Sequence, residues 1–449
     1  MDKSLVQRRP GDRYASHPLV RQYAAARLAA DDDRRRRVRA RHAQVVFGML
    51  EPPGAARSHP DLPDEAVVAW RYAVDQADLA LMRRAVEGLV ELLDAAGRYR
   101  HGLELFESAA STLGDGAEPA TAAALRYGEA WILERLGRHA DAVDKAGRAV
   151  GAAEAAGERR LLARSLLALA WARKTVDGDR AQYAVTRQAL PVAESLDDDR
   201  LVAQVRNGLG CSAPTLEECR EHLREGLAVA TEANLPDLAA RLSGNLGLVV
   251  ACLGDPDEAK RCLANALTFA RSTAWLFGLV EFLSDLVHLH AELGELDTAQ
   301  GLSAEAEDLL GGMESVDQRI YATLVAGEIH RLLGDPALAE TRMRYAMRLA
   351  HAVGNQSLML RSLRLHGRLL IDAGRLDDGL RVLAVVLAGP TRQGDFTSEL
   401  LNPRIWAEHT AGIAPERVRL AQAWARVHGI TDTVADVLAQ TGDGYQFVT

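Results

Sequence analysis

The stretches CLGDPDEAKRCL (252–263), ELGELDTAQGLS (292–303), LLGDPALAETRM (332–343) and DAGRLDDGLRVL (372–383) share one pattern and decide the fold. Each begins at the end of an apolar helix, turns at a glycine and opens a second, alanine-containing helix. The glycines are Gly254, Gly294, Gly334 and Gly374, forty residues apart at every step. Glycine just past a helix takes the left-handed C′ position without a Cβ clash. Asp255-Pro256 and Asp335-Pro336 then supply an N-cap oxygen and a residue suited to the first helical turn. Small residues recur where two helices must approach: Ala142, Ala259, Ala299 and Ala339, then Ala109, Ala149, Ala266, Ala306 and Ala346. Phe106, Leu263, Met343 and Leu383 stand between the two sets, and Gly247, Gly327 and Gly367 sit seven residues before the turn.

Outward from this core the same turn appears in AAGRYRHGLELF (95–106) and RLGRHADAVDKA (135–146). Two weaker turns, at Val176-Asp177-Gly178-Asp179 and near Ser212-Ala213-Pro214, complete eight units. The shorter step of 36 residues near Pro214 predicts a local change of curvature. Self-similarity at such a period is the mark of a helical repeat array. Small residues at the helix crossings with a bulky residue between them resemble the tetratricopeptide repeat, although units of about forty residues are longer than its usual ~34. The fold class expected is all-α, a right-handed superhelical solenoid of about eight such hairpins. It would occupy residues 64–395, with capping helices in 396–449.

The first fifty residues read differently. The segment from Arg13 to Leu28, with His17-Pro18-Leu19-Val20-Arg21 and Tyr23-Ala24, resembles the end of the winged helix in STAND-class (NB-ARC/winged-helix) transcriptional regulators of actinobacteria. In that family such a helix follows the last strand and leads through an Arg-rich helix into sensor repeats. Arg34–Leu50 and the helix around Trp70 and Ala73 fit that succession. The resemblance implies a signalling or transcriptional role, with a separate ATPase/DNA-binding subunit as a partner. It implies neither ATP hydrolysis nor DNA binding by this chain, which has no GxxxxGK[ST] loop.

Composition bounds the rest. The chain has 449 residues, too many for one compact core. Only four lysines (Lys3, Lys145, Lys174, Lys260) stand among 53 basic residues, the coding bias of a GC-rich genome. Net charge is −9, split as +7 over residues 1–50 and −16 over the remainder, so the repeat body is not expected to contact nucleic acid. The run Arg34–Arg37 beside Asp31–Asp33 reads as a solvated helix face. Cys211, Cys219, Cys252 and Cys262 have no metal spacing. Neither a signal peptide nor an apolar run of membrane-spanning length is present, so a cytoplasmic location is expected.

No protease, esterase, dinucleotide or calcium-loop motif occurs. His288 and His290 point about 200° apart on a helix and cannot share an ion. No catalytic residue, cofactor or metal is therefore expected. The residual function is binding, on the concave face that stacked hairpins form from their first helices. Counting back ten, six and three residues from each turn glycine places Tyr127, Trp131, His288, Glu328, Arg331, Arg364 and Arg368 there. The arginines would grip carboxylates of a protein or peptide, and Tyr127 with Trp131 would form an aromatic anchor. An ordinary groove crossed by ion pairs between repeats is the plainer reading of the same residues. The expected function is a non-catalytic protein- or peptide-binding sensor or scaffold. The alternatives are a stand-alone peptide-binding regulator or chaperone-like adaptor and, less favoured, an enzyme with a groove site.

Overall fold

A computed structural model describes residues 6–9, 13–51, 62–114, 118–273, 275–311, 314–388 and 405–439. The expected array is present. Eight hairpins follow one another: α4 (Leu79–Ala96) with α5 (Tyr99–Leu113), α6 (Pro119–Arg135) with α7 (His139–Ala156), α8 (Arg159–Asp177) with α9 (Asp179–Glu194), and α10 (Asp199–Gly210) with α11 (Leu216–Glu232). Then come α12 (Pro236–Cys252) with α13 (Pro256–Thr273), α14 (Leu276–Glu292) with α15 (Leu296–Leu310), α16 (Val316–Leu332) with α17 (Pro336–Val353), and α18 (Gln356–Asp372) with α19 (Leu376–Ala388). The short 36-residue step is taken up by α10, which has 12 residues where most of the other first helices have 17.

The local chemistry explains the turns. Gly254, Gly294, Gly334 and Gly374 have φ between +76° and +88°, a region closed to most side chains. Asp255 and Asp335 accept the Glu258 and Leu338 amides at 2.9 and 3.1 Å, capping α13 and α17. The helix crossings are as tight as the small residues require. A Cβ on Gly247 would lie 2.9 Å from Leu263, and one on Gly367 2.8 Å from Leu383. Ala142, Ala259, Ala299 and Ala339 are completely buried.

Before the array, α1 (Pro18–Ala29), α2 (Asp32–Met49) and α3 (Leu62–Asp75) lead in from strands β1 (Val6–Arg9) and β2 (Arg13–Ser16), an antiparallel pair in which Val6 faces Ser16. This pair departs from an all-helical reading. It places a strand directly before α1. Helices α2 and α3 pack together, and α3 packs on α4 and α5, so a further hairpin covers the array's first face. Arg35 and Arg36 pair with Asp32 and Asp33 on the exposed face of α2. At the far end α20 (Pro415–Ala425) and α21 (Ile430–Ala439) pack on α17, α18 and α19. Residues 389–404 and 440–449, parts of the expected array end and cap, lie outside the described residues.

The solenoid is tightly wound. Helix α4 touches α14, and α8 touches α18, each five hairpins further on. The Arg100 amide donates to Glu314 at 2.8 Å between the same two turns. Among the described residues no helix is long and apolar enough to cross a membrane.

One buried histidine makes the C-terminal hairpins acid-sensitive. His366 of α18 is buried, and its Nδ1 has no hydrogen-bond partner. Burial, reinforced by the charge of Arg344 and Arg375 against Glu340, pushes its pKa down to about 4. The unfolded value is ~6.5, so between these limits the unfolded chain binds the extra proton. Stability is therefore lost as pH falls from about 6.5 to 4, by up to about 3 kcal/mol. Thermal melts across that range should show a shallower pH slope in His366→Leu than in the native chain. Equal slopes would refute this assignment.

Candidate functional site

The concave face holds three adjoining hollows. The central one, about 290 Å³, is lined by the first helices of hairpins two through eight. A hollow of about 70 Å³ lies on its N-terminal side and shares Trp131, Trp171, Asn207 and Arg241 with it. A hollow of about 210 Å³ lies on the C-terminal side and shares Tyr321 and Arg361. The shared walls set the three side by side along the inner helices, and together they are called the channel.

The central hollow is charged and aromatic at once. Arg241 lies over the Trp275 ring at 4.8 Å, and Arg361 over Tyr321 at 4.4 Å. Arg135 sits 4.1 Å from the Phe277 ring centre and bonds Asp94 at 2.9 Å. The Tyr321 hydroxyl donates to Asp285 at 2.7 Å, and Asn245 donates to Asn207 at 2.8 Å. Glu281 forms no hydrogen bond or ion pair among the described residues. Burial pushes its pKa up, against the nearby charges of Arg241 and Arg135. Its carboxyl is therefore a partly buried acid on the wall of the hollow, close to Arg241 and Arg135.

The residues expected from the sequence are all on inner helices, but they do not meet at one place. Trp131 borders the central hollow, and Tyr127 lines the N-terminal one, its hydroxyl pKa pushed up by burial. His288, Glu328, Arg364 and Arg368 line the C-terminal hollow. Arg331 does not: its guanidinium is taken up by Glu328 at 2.9 Å and Asp372 at 2.8 Å. Arg368 also pairs with Glu328, at 2.6 Å. Burial would raise the Glu328 pKa, yet the Arg331 hydrogen bond and the charges of Arg368, Arg331 and Arg364 hold it below the usual range. The ion pairs between repeats are thus made, and Arg331 and Arg368 already have a carboxylate.

A count that stops ten residues before each turn reaches Trp131, Glu134 and Leu248 of the central hollow but misses a further charged and aromatic stripe of its wall. Thirteen back lie Arg241, Glu281, Tyr321 and Arg361, and all four line it. Seventeen back lie Asp237, Phe277, Asp317 and Ser357, each lining the central or N-terminal hollow. Steps of three and four continue one helix face, so this stripe follows from the same forty-residue spacing.

Fold and channel together define a tetratricopeptide-like helical solenoid with a hollowed inner groove. No family model matches the chain, and no curated protein matches its sequence. Solved structures do share the fold. A Rap protein complexed with Competence and Sporulation Factor matches over 85% of this chain and 99% of its own, at 14% identity and a TM-score of 0.54. The Rap conjugation gene regulator of the plasmid pLS20, in complex with the Phr* peptide, covers 71% of this chain and 95% of its own, at 14% identity and 0.50. A STAND protein with a tetratricopeptide repeat sensor from Pyrococcus horikoshii covers 93% of this chain and 59% of its own, at 14% identity and 0.49.

Proposed function

We propose that the chain is a non-catalytic regulatory receptor that binds a short peptide in its inner channel and passes occupancy to a partner protein. The observation that carries this is the channel. It runs along the first helices of the array, and its central part is near the size of small-ligand sites, ~300 Å³ and above. It alternates rings with both signs of charge. Asn207 and Asn245 offer the donor and acceptor pair that matches a peptide amide. Glu281 is placed for an ammonium or amide N–H, and Arg241 and Arg361, each already in contact with other groups, add positive charge to the same wall. That two proteins of this fold are seen with Competence and Sporulation Factor and with the Phr* peptide supports the same reading.

The N-terminal segment is the natural output. Helix α1 buries none of its side chains, and Leu19 and Tyr23 stand exposed. By the resemblance in residues 13–28, their partner would be an ATPase/DNA-binding subunit of a STAND-class regulator. In the same reading residues 1–50 are that contact, 64–395 the sensor and 396–449 its cap. The cytoplasm would be its compartment, in keeping with four free cysteines.

Equilibrium dialysis of the full chain against a pool of short peptides tests the receptor. The native chain should retain a defined subset. The double variant Glu281→Ala/Arg361→Ala should bind that subset at least about tenfold more weakly, the loss of ~1.4 kcal/mol. Equal retention by the folded variant would remove the central hollow as the site.

A further inference from the structure

The turn that joins α6 to α7 meets the start of α16, five hairpins along the chain. His139, the first residue of α7, is 4% exposed, and neither of its ring nitrogens is hydrogen-bonded. Its Nε2 lies 3.3 Å from Asp317 Oδ2, but without the alignment of a hydrogen bond. Asp317 Oδ1 is buried and equally unsatisfied. Glu134, on the last turn of α6, completes the group. One donor atom from each of the three lies within 4.8 Å of the other two.

A buried imidazole whose Nδ1 has no partner, and whose Nε2 meets Asp317 only at 3.3 Å and off the line of a hydrogen bond, beside a second carboxylate, leaves polar capacity unfilled in a protein alone. Buried polar groups are ordinarily satisfied. The same arrangement is a good one around a cation. Two ligands held ~2.0–2.1 Å from a tetrahedral zinc ion are about 3.3–3.4 Å apart, the spacing seen between His139 and Asp317.

We propose that Glu134, His139 and Asp317 bind one divalent cation of the zinc class. The donor set is one imidazole nitrogen and two carboxylate oxygens. Glu134 and Asp317 also line the central hollow. The fourth position therefore opens into the channel, as in zinc sites that exchange a water or ligand. Arg135, 3.3 Å from Glu134, opposes a cation. It can leave Glu134 and still hold Asp94 at 2.9 Å. The ligands come from hairpins two and seven, so the ion would clamp successive turns of the superhelix and fix the width of the channel between them. The site stands whether or not a peptide occupies the channel.

Cobalt(II) titration of the chelator-treated full chain tests it. The native chain should bind one ion, give the visible absorption of a low-coordinate cobalt centre, and lose that absorption when zinc is added. Asp317→Asn should weaken cobalt binding at least about tenfold, since even outer partners of a metal site are worth ~10–100-fold. His139→Gln should do the same. His139 is buried, so circular dichroism accompanies each variant, and Asp317→Asn decides the matter should His139→Gln not fold. Failure of the native chain to bind cobalt stoichiometrically, or equal binding by folded Asp317→Asn, would overturn the site. Either result would leave His139 and Asp317 as an ion pair between turns.

Discussion

Arg200→Ala should weaken the middle of the array by about 3–5 kcal/mol, the usual cost of stripping one partner from a buried ion pair. Arg200 starts α10 and Asp237 starts α12, in consecutive hairpins. Their fork is bidentate, Nη1 to Oδ2 at 2.8 Å and Nη2 to Oδ1 at 2.9 Å, and both residues are buried. Glu91 of α4 adds a second carboxylate 3.8 Å from the guanidinium. Removing the arginine takes away the bidentate partner of Asp237 and the charge that separates it from Glu91. Repeat arrays hold together through nearest-neighbour interfaces, so the loss should be local. Native-state hydrogen exchange should show the amides of α10 and α12 opening more readily, with α18 unchanged. Replacing the pair together, Arg200→Met with Asp237→Leu, should restore most of the loss, because an apolar pair of similar volume is often neutral. A loss under about 1 kcal/mol, typical of exposed pairs, would show that the fork is not buried in solution.

Trp70→Ala should cost a similar ~3–5 kcal/mol at the N-terminal end, as large-to-small changes of fully buried aromatics do. Trp70 of α3 is 1% exposed and packs edge-on against Phe106 of α5, with ring centres 5.4 Å apart. Its indole Nε1 donates to the Leu105 carbonyl at 3.2 Å. Phe106 in turn lies where a Cβ on Gly128 would be, 2.9 Å from its ring. One side chain thus ties the leading hairpin to the first two units. Limited proteolysis should cut α2 to α5 far faster in the variant. Trp70→Phe keeps most of the ring and loses only the hydrogen bond, about 1 kcal/mol. If Trp70→Ala leaves the cutting rate unchanged, the α2–α3 hairpin is not a structural cap.

The turn glycines made the array legible, because a left-handed residue recurring every forty positions is what one repeated helical hairpin requires. The weaker units were legible too, at Val176–Asp179 and near Ser212–Pro214, where Gly178 has φ +87° and Thr215 caps α11. The inner face was half legible. The same count that found Trp131 and Glu328, carried one turn further back, reaches Arg241, Glu281, Tyr321 and Arg361. What the sequence hides is the meeting of residues five hairpins apart. His139 and Asp317 are 178 positions apart in the chain, and their contact depends on small rotations summed over every intervening hairpin. No local spacing encodes that sum. The strands β1 and β2 are short and carry little alternation, so only the winged-helix resemblance hinted at them.

A peptide should bind in the channel and not on the outer surface. Hydrogen exchange of the full chain, with and without a peptide retained in dialysis, separates the two places. Slowed exchange is expected along α8, α12, α14, α16 and α18, the helices that carry Trp171, Arg241, Glu281, Tyr321 and Arg361. Slowed exchange confined to α1 and α2, or to the outer helices α13, α15 and α17, would contradict a channel site.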